Sequence, residues 1–71
     1  MKWILKVKNK NDVRLVVTFK PIEEKIVINS QYKLRNGVWV DFHEVICNIN
    51  EFDLKKFQEM IYFSFKETLK K

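Results

Sequence analysis

Apolar and polar residues alternate along most of this chain, and the period changes once, near residue 50. Residues 2–8 place Trp3, Leu5 and Val7 on one side, and residues 13–20 repeat the pattern with Val13, Leu15, Val17 and Phe19. Alternation of this kind predicts half-buried strands. The polar cluster at 9–12 predicts the turn between them. Pro21 ends the second strand because proline has no N–H for the ladder. Residues 25–35 and 38–49 form a third and fourth strand around Asn36-Gly37, a pair that predicts a two-residue type I′ hairpin turn. That turn sets a register in which Leu34 opposes Trp39, Tyr32 opposes Asp41 and Ile28 opposes Val45. Ile26, Tyr32, Leu34, Trp39 and Cys47 then share the core side, while Val27, Lys33, Arg35, Val40, Phe42 and Ile46 share the other. Polar Ser30, Asp41 and His43 interrupt the core side, so the hairpin tip is expected to project as a ribbon. A bulge within 41–44 would swap the tip residues between faces.

After residue 50 the apolar spacing becomes helical. Asn50 is a favourable cap, and Leu54, Phe57, Ile61, Phe65 and Thr68 or Leu69 form a stripe for the sheet. The prediction is an α+β domain spanning 1–71: a four-stranded antiparallel sheet, then one helix over about 51–70 packed on its inner face. Phe52, Met60 and Phe63 fall on the far side of that helix and are the expected oligomer contact. A domain this small buries only roughly 60% of its chain's surface, which makes a homodimer a natural staple.

Charge sharpens the functional picture. The chain carries 14 Lys and Arg against 9 Asp and Glu, a net charge of +5. Lys2, Lys6, Lys8, Arg14, Lys20, Lys25, Lys33 and Arg35 fall on the solvent face of the predicted sheet, with Glu44 as its acid. A merely solvated face mixes signs, whereas a one-sign face is the footprint of a polyanion. Lys and Arg neutralise phosphates, and an aromatic ring can stack on an unpaired base. The expected partner is nucleic acid, single-stranded rather than duplex, with an acidic protein surface as the alternative. In that alternative Val27, Val38, Val40, Phe42 and Ile46 form the interface core.

Other chemistry finds little purchase. His43, Asp41 and Cys47 point one way on an extended strand but spread over about 20 Å, too far for a metal ligand set. Gly37 is the only glycine, so no phosphate loop exists. No enzymatic activity and no cofactor are expected. No apolar run approaches the ~20 residues of a membrane span. A lone cysteine, Cys47, and no signal-like start suggest a cytoplasmic protein without membrane attachment.

The junction Cys47-Asn48-Ile49-Asn50, running into Leu54 and Phe57, resembles the same junction in the single-stranded-DNA-binding transcriptional coactivators of the positive-cofactor-four type. The order strand, strand, long hairpin, helix is similar as well. The resemblance implies a homodimer that binds single-stranded or melted DNA through its sheet and ribbons. It would have Lys6, Arg14, Lys33 and Arg35 contact phosphate, with Phe42 or Trp39 stacking on a base.

Overall fold

The structure, a computed structural model, describes residues 1–70. Its elements are β1 (Lys2–Val7), β2 (Lys10–Lys20), β3 (Lys25–Lys33), β4 (Trp39–Asn48), a 3-10 turn (Ile49–Glu51) and α1 (Leu54–Thr68). The strands form one antiparallel sheet in the order β1-β2-β3-β4. The predicted α+β architecture, four strands and then one helix, is the observed one.

The core forms where the alternation places it. Leu15, Val17, Ile26, Ile28, Cys47 and Met60 are buried together, ringed by Phe19, Val45, Ile49, Phe52, Phe57 and Ile61. Fully burying side chains of this size contributes roughly 1.5–3 kcal/mol each. Val16 and Val27 are also buried, although strand alternation puts them on the face away from the helix.

The hairpin turn differs from the expected type I′. Gly37 N–H donates to Leu34 O at 2.9 Å and Leu34 N–H donates to Val38 O at 2.8 Å, closing a three-residue loop, Arg35 to Gly37. Gly37 has φ 90°, whereas Asn36 is not among the positive-φ residues, so both central positions of a type I′ turn are not met. A type I turn with glycine in the left-handed position is the next common hairpin solution. The extra loop residue shifts the tip register by one, pairing Lys33 with Trp39 and Tyr32 with Val40. A bulge at Phe42 restores the base, where Ile28 pairs with Val45 and Ile26 with Cys47. The two irregularities cancel at the base, and between them the tip of β4 is turned over.

The helix starts later than expected. Asp53, not Asn50, is the cap: its Oδ1 accepts from Lys56 N–H at 2.8 Å. Ile49 and Phe52 pack against the core, so the chain first crosses the sheet end in a 3-10 turn containing Asn50. The helix is also rotated from the predicted face. Met60, Ser64 and Thr68 are its buried residues, while Leu54, Phe65 and Leu69 are exposed. Met60 is therefore a core residue and no oligomer contact. Phe52 packs against the core and Phe63 stays exposed, its ring 5.4 Å from His43. Small side chains explain the rotation. Ser30 on β3 and Ser64 on α1 are both fully buried, and Ser30 Oγ donates to Ser64 O at 3.4 Å. The polar middle of the hairpin is thus covered by the helix. Val13 on β2 pairs with Tyr32, so the paired sheet reaches that far and the ribbon does not project from it there.

Candidate nucleic-acid interface

The turned-over tip of β4 builds the site. With Trp39 opposite Lys33, the indole lies on the helix-free face instead of the core side predicted for it. There the Arg14 guanidinium sits over the ring, 4.1 Å from its centroid, and Lys33 Nζ lies 5.8 Å away. Arg14 is held in place: its Nε donates to Gln31 Oε1 at 2.8 Å, and Gln31 Nε2 donates to Asp41 Oδ1 at 2.7 Å. Guanidinium on indole is a favourable cation–π pair and leaves Arg14's remaining N–H groups for a ligand.

A second irregularity shapes the opposite wall. Lys6 pairs with Arg14, yet Val7 pairs with Lys10, so residues 11–13 of β2 have no counterpart on β1. Asn9 takes φ 66° in the intervening turn, a conformation asparagine tolerates better than most residues. Extra residues on one strand bend it. The result is a groove of about 490 Å³ with Ile4, Val7 and Val13 among its lining and with Lys6, Lys8, Lys10, Asn11, Arg14 and Trp39 as its polar and aromatic walls. No carboxylate lines it. Among the described residues the ion pairs are Lys20 with Glu23 and Lys70 with Glu67, so none of the groove's cations is in a direct ion pair, and Asp41 reaches Arg14 only through Gln31.

Of the predicted site residues, Lys6, Lys8, Arg14 and Trp39 meet in this groove, and Lys33 reaches the same indole. Arg35 lies in the hairpin loop beyond it. Lys20 and Lys25 pair with each other at the other end of the sheet, and Lys20 Nζ is 3.7 Å from Glu23. Phe42, the bulged residue, has its ring 5.8 Å from Tyr32 and does not line the groove. Lys10 and Asn11 were hidden by a reading of 9–12 as a plain turn. Their signal was the spacing of Lys6, Lys8 and Lys10, which continues a strand-like period into that turn. The face's expected apolar centre is thinner than predicted: Val27 is buried and Val40 pairs with Tyr32 on the other side, leaving Ile46, Val38 and Ile4 exposed. Among the described residues no three His, Cys, Asp or Glu side chains converge to hold a metal ion, and no helix is long and apolar enough to cross a membrane.

Fold and groove together define a class: an antiparallel four-strand meander with one C-terminal helix, and a basic, tryptophan-centred groove on the helix-free face. Compared with known proteins, the chain matches no family model, no curated protein and no solved structure.

Proposed function

We propose that this protein binds single-stranded nucleic acid, DNA first, without catalysing a reaction on it. The observation that carries the reading is the groove itself: three lysines and an arginine, no carboxylate, around an Arg14–Trp39 stack. Phosphates take the cations and a base takes the stacked platform, a sequence-tolerant combination. A single strand fits better than a duplex because its bases are free to stack. The one helix lies on the opposite face, so no helix is available on the basic side to enter a major groove.

The test is fluorescence anisotropy with single-stranded and duplex oligonucleotides across a salt series. Single strands are expected to bind more tightly, with log affinity falling against log salt at about −0.7 per phosphate neutralised. Lys8→Glu with Arg14→Gln is expected to weaken single-strand binding at least ~10-fold and flatten the slope by about 1.4. Absence of binding at low salt would overturn the reading in favour of an acidic protein partner. Equal binding of duplex would overturn the single-strand preference.

We also propose a homodimer, formed across a different surface. The helix packs mainly over β3 and leaves Trp3 and Leu5, on the inner side of β1, exposed. Trp3, Leu5, Phe19, Phe52 and Phe57 line a wholly apolar trough of about 510 Å³ there. Helical spacing puts Leu54, Ile61 and Phe65 on the same flank as Phe57, extending it. Trp3 is 49% exposed, Leu5 38%, Leu54 71% and Phe65 38%. At ~150–250 Å² for an aromatic side chain and less for leucine, these expose on the order of 400 Å² per protomer. A two-fold pair would bury roughly 800 Å² through these four side chains, and the partly exposed Phe19, Phe52 and Phe57 of the trough would carry it toward the roughly 1,000 Å² of a specific interface. A reducing, cytoplasmic setting belongs to the same proposal, since Cys47 is buried and unpaired.

A further inference from the structure

We infer that the groove is a short site: it seats one nucleobase with its neighbouring phosphates, and a strand gains nothing by running on across the sheet. This rests on the nucleic-acid reading above and specifies the ligand that the site takes, a di- to tetranucleotide stretch.

Three observations carry it. The first is how the cations are divided. At the groove end Lys6, Lys8, Lys10, Arg14 and Lys33 outnumber Asp12 and Asp41, neither of which lines the groove. At the far end Lys2, Lys20 and Lys25 are offset by Glu23 and Glu24, and Lys20 is already in contact with Glu23. Arg14 and Lys20 are six residues apart on β2, roughly 20 Å along the strand.

The second is what lies between the two ends. Ile4, Val16, Val27 and Ile46 alternate onto this face, so the middle of the path is aliphatic. Its charged group is Glu44, which accepts from Asn29 Nδ2 at 3.1 Å. A carboxylate there repels a phosphate backbone, and the aliphatic waist offers it no donor.

The third is the count of stacking rings. A platform that tracks several nucleotides presents successive aromatics to successive bases. Here Trp39 is the aromatic in the basic groove, while Tyr32 alternates onto the helix side and the Phe42 ring lies 5.8 Å from it, outside the groove lining. The groove's volume of about 490 Å³ is in the range of small-ligand pockets.

The experiment measures thymidine oligonucleotides, from a dinucleotide to a hexadecamer, by quenching of Trp39 fluorescence in a Trp3→Phe background. Affinity is corrected for the number of binding registers each length offers. It is expected to rise up to the tetranucleotide and then stay flat, with a salt slope of about −2 to −3 at every longer length. Lys2→Glu with Lys25→Glu is expected to change affinity less than ~2-fold, the charge pair being outside the footprint. A register-corrected affinity and slope that keep growing to the hexadecamer would overturn the short site and leave the binding function standing. No quenching and no anisotropy change at any length would overturn the binding function itself, and the short site with it.

Discussion

Ser64 is fully buried, and its Oγ has no hydrogen-bond partner among the described residues. What the position needs is smallness. Ser64 sits where α1 passes over β3, and its carbonyl, not its hydroxyl, receives the Ser30 bond. An orphaned buried hydroxyl costs about 1–3 kcal/mol, so removing it at unchanged size is favourable. Ser64→Ala is therefore expected to stabilise the fold by roughly 1 kcal/mol, seen as a higher urea midpoint at unchanged slope. Ser64→Leu overpacks the same contact and is expected to cost ~1–3 kcal/mol. A lower midpoint for the alanine variant would show that the hydroxyl is satisfied and that size is not the governing property. Trp39 belongs to the same scale. Its ring is half-buried beneath Arg14 and carries the base-stacking role. Trp39→Ala is expected to weaken single-strand binding by the ~1–3 kcal/mol that one stacked base contributes, with Trp39→Phe retaining part of it. An unchanged affinity in the alanine variant would leave only the cations to bind, and remove any reason to prefer an unpaired strand.

At the scale of elements, the helix start shows how competing signals resolve. Asn50 and Asp53 are both good caps, and sequence alone favours the first because the last strand's alternation ends just before it. The core decides otherwise, since Ile49 and Phe52 must both reach it before the helix begins. Asp53→Ala is expected to cost about 1 kcal/mol, and Asn50→Ala a few tenths at most, in matched urea denaturations. The reverse order would put the cap back at Asn50. The hairpin resolves similarly. Gly37 at φ 90° has open space around its missing Cβ, so Gly37→Ala meets no neighbour and loses only the left-handed backbone term, about 1–2 kcal/mol. Much of the architecture was legible for one reason: strand period is two, and long alternations such as Leu15–Val17 and Ile26–Ile28 leave one burial solution. The face of Trp39 was not. It depends on whether the loop holds two or three residues and on where one bulge falls, differences of a single position that hydrophobic pattern cannot resolve. Phe57, Ile61 and Thr68 of the predicted stripe do face the sheet, but the buried face is centred one position round from it, because Leu54 and Phe65 outweigh Ser64 on any hydropathy argument. Close approach to Ser30, invisible in sequence, selects the small residues instead.

For the whole molecule, the two surfaces divide the work by face. The helix-free face gathers charge at one end, while the helix side exposes apolar area along β1. A chain of 71 residues buries too little to carry such a trough lightly. Covering it by a second copy couples stability to concentration, because only the folded protomer presents the trough. Apparent stability then rises with the logarithm of protein concentration. Sedimentation equilibrium is expected to give twice the chain mass at micromolar concentration, with a Tm that climbs as concentration increases. Leu5→Glu with Phe65→Glu places two carboxylates in the trough, where neither side chain belongs to the buried core. That variant is expected to sediment as a folded monomer with a lower, concentration-independent Tm. Its grooves keep Lys6, Lys8, Lys10, Arg14 and Trp39, so its intrinsic affinity per groove for a tetranucleotide should remain within about 2-fold of the parent. A parent protein that is monomeric at every concentration, with a fixed Tm, would exclude self-association across the trough. A dimeric double variant would place the contact elsewhere, with the outward flank of Phe63 the next surface to mutate.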